Sequence, residues 1–460
     1  MNSFQDLFDR QKRYFATGAT RSYSWRIEQL DRMGRLFREN EAALQDAVAK
    51  DFKTASQEKI FETATSIGEV EFQKSQLKDW MTPTEAPVPR PLAATGHRGV
   101  VYRDPYGVML IIGPSNGPLT LLIRPAIAGL AAGNCCILKL SGALEATSSV
   151  LLELVPQYFD PEAVTAVTGD RNHIAELLKL PFDFIFFTGS TSTGKVVARA
   201  AAENLTPTLL ELGGQNPALI DETANLADAA KKVVWGATAW GGQFCASPGY
   251  AYVQESVAEA FVAEAKTAVG DLYGGDPKSN TDFSRIISSG EVIRLAGLID
   301  QAKVVAGGQS DPDARYVDPT ILYPVDWDDP IMQDEIFGPV LPVLTYGTLD
   351  EALSRIAAAS SHPLAAFIFS RNQAAIDRFV AELSFGGGAV NQTNIHLFVE
   401  SMPFGGVGTS GMGHYYGKYG FDMLTHAKSM LISPADVAIE HVFPPYSAEK
   451  NAELASWYDY

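Results

Sequence analysis

Between residues 108 and 212 the chain alternates short, mostly apolar runs with amphipathic stretches, and few folds accept that order. Val108-Met109-Leu110-Ile111-Ile112-Gly113 is the clearest run, and 135–140, 184–187 and 208–212 are others. An apolar run without polar alternation is what a strand buried on both faces requires. Residues 163–168 read as one more short strand. The stretches 120–132, about 144–155, 173–180 and 193–203 read as helices, the first stopped by Gly133-Asn134. Strands separated by helices predict an α/β fold with a parallel, doubly wound sheet, which binds ligands at the carboxyl ends of its strands.

A second alternating region spans about 213–388, with helices expected at 224–240, 257–269 and 349–359 and strands at 250–253, 341–346 and 364–369. Upstream, 24–50 and 57–80 have helical periodicity. The segment Met81-Thr82-Pro83-Thr84-Glu85-Ala86-Pro87-Val88-Pro89-Arg90-Pro91 is expected to be extended, because its prolines remove donors and fix φ. A strand with a turn is expected over 97–106, and the last twenty residues read as an extended tail.

A length of 460 residues allows about two or three domains. The net charge of −18 argues against nucleic acid or an anionic membrane surface as a partner. No apolar run reaches the roughly 18–20 residues of a membrane span, and the N-terminus lacks a signal-peptide pattern. Three cysteines give no disulfide framework, so a reduced, cytoplasmic protein is expected. Cys135 and Cys136 lie in an apolar run and read as structural. No metal site is expected.

Chemistry concentrates in a few fragments. Cys245, in Gly241-Gly242-Gln243-Phe244-Cys245-Ala246, follows Glu211, in Glu211-Leu212-Gly213-Gly214-Gln215. A thiol nucleophile with a carboxylate base fits covalent catalysis, in which the carboxylate later activates water. A single cysteine in an apolar stretch is otherwise an inert core side chain. Phe187-Thr188-Gly189-Ser190-Thr191-Ser192-Thr193-Gly194-Lys195 joins a strand to a helix. It is either a phosphate-facing turn or a plain connection. Asn116, in Gly113-Pro114-Ser115-Asn116-Gly117-Pro118, could donate to an oxyanion or cap the helix that follows.

Together these fragments resemble the aldehyde dehydrogenase superfamily, most of all its class 3, fatty-aldehyde and benzaldehyde branch. The likeness extends in order through Leu138-Lys139, Glu335-Ile336-Phe337-Gly338-Pro339, Pro403-Phe404-Gly405-Gly406-Val407-Gly408, Ser410-Gly411-Met412-Gly413 and Gly417-Lys418. The resemblance implies a Rossmann-type cofactor domain (1–80 and 105–211) and an α/β catalytic domain (212–388). It also implies a small β oligomerisation arm (81–104 and 389–430), a C-terminal tail (431–460) and a homodimer. It implies Cys245 as the nucleophile that forms a thiohemiacetal and then a thioester. Asn116 and the Cys245 N–H would hold the oxyanion, and Glu211 would activate water. Lys139 would bind the adenosine ribose, Gly189 and Ser190 the cofactor phosphates, Glu335 the nicotinamide ribose, and Phe337 would pack near the nicotinamide. The cofactor would be NAD or NADP and the substrate an aldehyde.

Several positions depart from the family pattern. Ser115 and Gly117 replace the aromatics that usually flank Asn116, so Gly117 should widen the aldehyde tunnel, with Phe244 refilling part of it. A bulky aromatic or long-chain aldehyde is therefore expected. After Lys139 the usual Pro-Ser-Glu is Leu140-Ser141-Gly142. Losing that glutamate removes repulsion of a 2′-phosphate, so NADP should be accepted or preferred, with NAD also usable, unless Glu145 swings in. Gln215 stands for a common lysine and Gly249 for an aspartate, and neither has an explanation in the sequence. The rival readings are a CoA-acylating dehydrogenase or acyl reductase, for which Glu211 would be superfluous, and a catalytically quiet binding protein on the same fold.

Overall fold

The computed structural model describes residues 4–359 and 362–458. Five parallel strands form most of the first sheet, in spatial order Thr208–Glu211, Phe184–Thr188, Val108–Ile112, Cys135–Lys139, Val164–Val167. The short strand Gly411–Met412 adds antiparallel beside Thr208–Glu211. Val108–Ile112 lies in the middle because chain order reverses direction there, which opens a crevice at its carboxyl end.

The apolar run 108–112 serves two cores at once. Val108, Leu110 and Ile112 pack with Phe8, Ile185 and Val197 on one face. Met109 and Ile111 pack with Leu30, Leu122 and Ile127 on the other. Each such side chain contributes about 1.5–3 kcal/mol on full burial, so a polar residue on either face would be costly. Cys135 and Cys136 are buried in the neighbouring strand, and burial pushes the Cys135 thiol up to about 12. Both are inert core residues.

A second, seven-stranded sheet has the order Val304–Ala306, Thr320–Leu322, Val340–Tyr346, Pro248–Gln254, Asn216–Ile220, Ala365–Phe369, Gly387–Val390, parallel except for its first pair. A third sheet joins Thr84–Ala86, Arg98–Pro105 and Thr425–Ile432, all antiparallel. No helix among the described residues is long and apolar enough to cross a membrane.

Four segments differ from the expectations. Phe4–Ala16 is a helix that docks Phe8 and Gln11 against the first sheet, where no element was expected. Arg90–Ala94 is a short helix with Pro91 in its first turn, where a missing N–H costs nothing. The expected extension over 81–91 therefore stops short of its end. The C-terminal stretch holds the helix Ala448–Ala455, capped by the Ser447 hydroxyl at 3.2 Å from Lys450 N, so it is not an extended tail. Asn216–Ile220 is a strand hidden by Pro217, which is tolerated because the pairing register shifts there.

Candidate active site

The register of the first sheet aligns the strand ends. Ile112 pairs with Lys139 and Phe187, and Thr188 with Glu211. A cleft of about 450 Å³ opens at that edge, lined by Asn116, Thr188, Gly189, Ser190, Glu211, Cys245, Glu335 and Phe337 among others. Residues separated by two hundred positions in the chain thus share one wall.

Cys245 reaches the cleft through a sharp backbone turn. The helix Leu226–Thr238 ends because Trp240, Gly241 and Gly242 adopt left-handed conformations, with φ of 59°, 64° and 71°. Gln243 then ties the turn down, donating to the carbonyls of Trp240 (3.0 Å) and Arg285 (2.9 Å) and accepting from Ile287 N (2.8 Å). Asn216 donates to the carbonyls of Cys245 and Ser247, both at 2.8 Å, and accepts from Ala365 N. Neither Gln243 nor Asn216 was singled out from the sequence. Their signal is an amide beside a glycine pair, next to the two motifs that were.

Burial pushes the Cys245 thiol well above its ordinary range, and the carboxylates of Glu335 and Glu211 push it further, while the N–H groups of Ala246 and Cys245 oppose the rise. Glu211 is 2% exposed and neither carboxylate oxygen has a protein partner. Burial accordingly raises its pKa well above the usual carboxylate range. Buried polar atoms without partners are rare and imply a missing one. The Thr188 hydroxyl on the same wall is also unpartnered.

Asn116 is buried beside the cleft and does not cap the helix Thr120–Ala131. That cap is Glu62, whose carboxylate accepts from Leu119 N (3.1 Å) and Thr120 N (2.9 Å). Ser190 caps the helix Thr191–Glu203 through Thr193 N. Lys139 Nζ donates to the carbonyls of Leu140 (2.6 Å) and Gly169 (2.8 Å), knitting two strand-end loops together. A Cβ on Gly142 would stand 2.9 Å from Gly169 O, so the loop closes tightly where the family carries a glutamate. Glu145, which could have filled that space, instead opens the helix Glu145–Tyr158.

A second cavity meets the cleft at Cys245. It is lined by Phe61, Leu121, Arg124, Trp240, Phe244 and Tyr416 among others, and its open volume is only about 10 Å³. Gly117 does not widen it. A Cβ there would stand 2.7 Å from Leu121 Cγ, because Leu121 occupies the space and lines the tunnel itself. Phe244 stacks on Trp240 with ring centroids 4.3 Å apart, and Lys53 Nζ sits 3.3 Å over the Trp240 ring. Arg124, buried in an otherwise apolar helix, pairs with Glu69 (2.9 Å) and Glu400 and lies 3.7 Å over Tyr416. Arg124 was not singled out from the sequence.

A half-buried thiol, a buried unpaired carboxylate and an amide thus converge where the larger cleft meets an aromatic tunnel. Residues 4–430 match the aldehyde dehydrogenase family. The chain belongs to that family. It is 38% identical to the 4,4′-diaponeurosporen-aldehyde dehydrogenase of Staphylococcus aureus, over 98% of both chains. It is also 38% identical to the dimeric NADP-preferring aldehyde dehydrogenase of Rattus norvegicus, over 98% of this chain and 99% of that one. A solved structure of the substrate-bound state of Staphylococcus aureus AldH superposes with a TM-score of 0.95 at 36% identity, covering 99% of each chain. The protein is an aldehyde dehydrogenase, an NAD(P)-dependent oxidoreductase that acts on an aldehyde.

Proposed function

We propose that this aldehyde dehydrogenase oxidises a long-chain or bulky aromatic aldehyde to its acid, with Cys245 as nucleophile, Asn116 as oxyanion donor and Glu211 as base. One observation carries the reading: Cys245 is the residue at which the aromatic tunnel and the larger cleft meet. An aldehyde entering by the tunnel presents its carbonyl carbon to Sγ; the thiol gives up its proton to solvent, and the C–S bond forms as the carbonyl π pair moves to oxygen, giving the thiohemiacetal anion. The Asn116 side-chain amide and the Cys245 N–H stabilise the oxygen as it gains charge. The nicotinamide dinucleotide, when bound, supplies the hydride acceptor that turns this adduct into a thioester. Glu211 takes a proton from water, the hydroxide adds to the thioester carbon, and the C–S bond breaks to release the acid and restore the thiol. This role gives the unpartnered Glu211 oxygens an occupant. It also disfavours transfer to CoA, which needs no water-activating base.

The donor set suits a dinucleotide. The helix Thr191–Glu203 turns its N-terminus to the cleft beside Gly189 and Ser190, which favours phosphate. Glu335 and Phe337 would hold the nicotinamide end, and Lys139 with the Gly142 loop the adenosine end. With no glutamate at 142 to repel a 2′-phosphate, NADP is accepted or preferred. The rat relative is named as NADP-preferring and dimeric. The Staphylococcus aureus relative is named for 4,4′-diaponeurosporen-aldehyde. We assign residues 1–80 and 105–211 to the cofactor domain and 212–388 to the catalytic domain. Residues 81–104 and 389–430 form the oligomerisation arm of a cytoplasmic homodimer; the last strand of its sheet, Thr425–Ile432, runs two residues past that boundary and exposes Met430, Leu431 and Ile432.

The test is reduced-nicotinamide absorbance with hexanal, a long-chain aldehyde and a polycyclic aldehyde, each with NAD and NADP, for wild type and Cys245→Ala. Turnover in the wild type that favours the larger aldehydes and NADP, and none in the variant, is expected. A strict preference for hexanal would remove the substrate assignment, and a much lower KM for NAD than for NADP would remove the cofactor preference.

A further inference from the structure

Gln215 and Gly249, the two departures the sequence leaves unexplained, face each other in space. A Cβ on Gly249 would collide with Gln215 Oε1. The missing side chain at 249 is therefore what makes room for the amide at 215. On its other side Gln215 Nε2 donates to the carbonyls of Asp334 (2.7 Å) and Ile331 (3.0 Å). Those carbonyls belong to the loop that carries Glu335 and Phe337 into the cleft. The same strand exit grips the loop twice more. Gly213 has no Cβ because the Glu335 carboxylate lies against it, and the Gly214 N–H donates to that carboxylate.

We infer that Gln215 is a positioning residue that latches the Glu335–Phe337 loop to the end of the Glu211 strand, with Gly249 as its spatial complement. The latch places Glu335 and Phe337 for the nicotinamide end of the dinucleotide, and so rests on the cofactor roles proposed above. Phe337 shows why a latch is required. Its φ of 49° is a left-handed conformation that a bulky residue holds only when its surroundings over-determine it. Lysine and aspartate at 215 and 249 would carry opposite charges. This chain carries neither charge, and a neutral amide with two carbonyl acceptors does the fastening.

Gln215→Glu separates this role from simple space-filling, since it keeps the size but turns a carboxylate towards two carbonyl oxygens. The expected result is about tenfold weaker binding of NADP, the worth of one ordinary hydrogen bond, read by calorimetry without turnover. Faster amide hydrogen exchange over residues 331–337 should accompany it. The KM for aldehyde should stay within about twofold of wild type, because the Cys245 turn is held by Asn216 and Gln243. Gly249→Ala, which displaces the amide without adding charge, should move the same two quantities in the same direction and serves if Gln215→Glu does not fold. Unchanged NADP affinity and unchanged exchange in a folded variant would overturn the latch. Failure of the wild type to bind any nicotinamide dinucleotide would instead overturn the cofactor roles, and the exchange data would still judge the latch.

Discussion

Glu335 should give the protein a pH-dependent stability that a single substitution removes. Burial pushes its carboxyl from 4.5 to about 7; the Gly214 N–H opposes the rise, Asp334 adds to it and Arg294 opposes it. The folded chain therefore holds this proton to a higher pH than the unfolded chain does. The resulting stabilisation is fully present below pH 4.5 and is lost as the pH rises through about 7. A rise of that size corresponds to about 3 kcal/mol, reduced to about 2 kcal/mol because the side chain is only partly shielded from solvent. Glu335→Gln keeps an acceptor for Gly214 and removes the titration. Urea unfolding of wild type and variant at pH 4.5, 6, 7 and 8 would isolate the effect, because other titrating groups such as Glu211 are common to both. The wild type should lose about 2 kcal/mol relative to the variant across that range. Stability curves that run parallel would refute the reasoning. The variant should also alkylate faster at Cys245 above pH 7, since the Glu335 charge helps hold that thiol protonated.

Two further outcomes follow from the site. Glu211→Gln should release one equivalent of reduced nicotinamide per active site and then turn over at least about 100-fold more slowly, because the water that clears the thioester has lost its base. Steady turnover near the wild-type rate would sink the assignment. Phe244→Ala removes the stack on Trp240, worth about 0.5–1.5 kcal/mol, and enlarges a tunnel whose open volume is about 10 Å³. Its kcat/KM for a polycyclic aldehyde relative to hexanal should rise about tenfold, and an unchanged ratio would show that Phe244 does not limit the tunnel.

Much of the first sheet was legible because its signal is local. The run 108–112 needs no distant information to declare itself buried on both faces, and its neighbours announce themselves in the same way. The missed elements differ in cause. Pro217 hides a strand that the register shift rescues, whereas Phe4–Ala16 does carry helical periodicity, packing Phe4, Leu7, Phe8 and Phe15 on the first sheet's core, and that local signal was passed over. The motif residues Asn116, Glu211, Cys245, Glu335 and Phe337 were legible as types, and the structure gathers them on one cleft.

By itself the sequence determined the strand–helix alternation and the carboxyl-end location of a ligand crevice, both from residue type and spacings within one element. The aldehyde chemistry of its thiol, carboxylate and amide came from the resemblance of its ordered motifs to the family. Only the tertiary structure decided which partner each group has. Asn116 is left free of capping because Glu62, on another helix, takes that task. Leu121 fills the room that Gly117 was expected to open, and Gln215 and Gly249 account for each other. Contacts of this kind depend on how side chains share volume once the elements have packed, and close packing leaves a position no meaning apart from its neighbours.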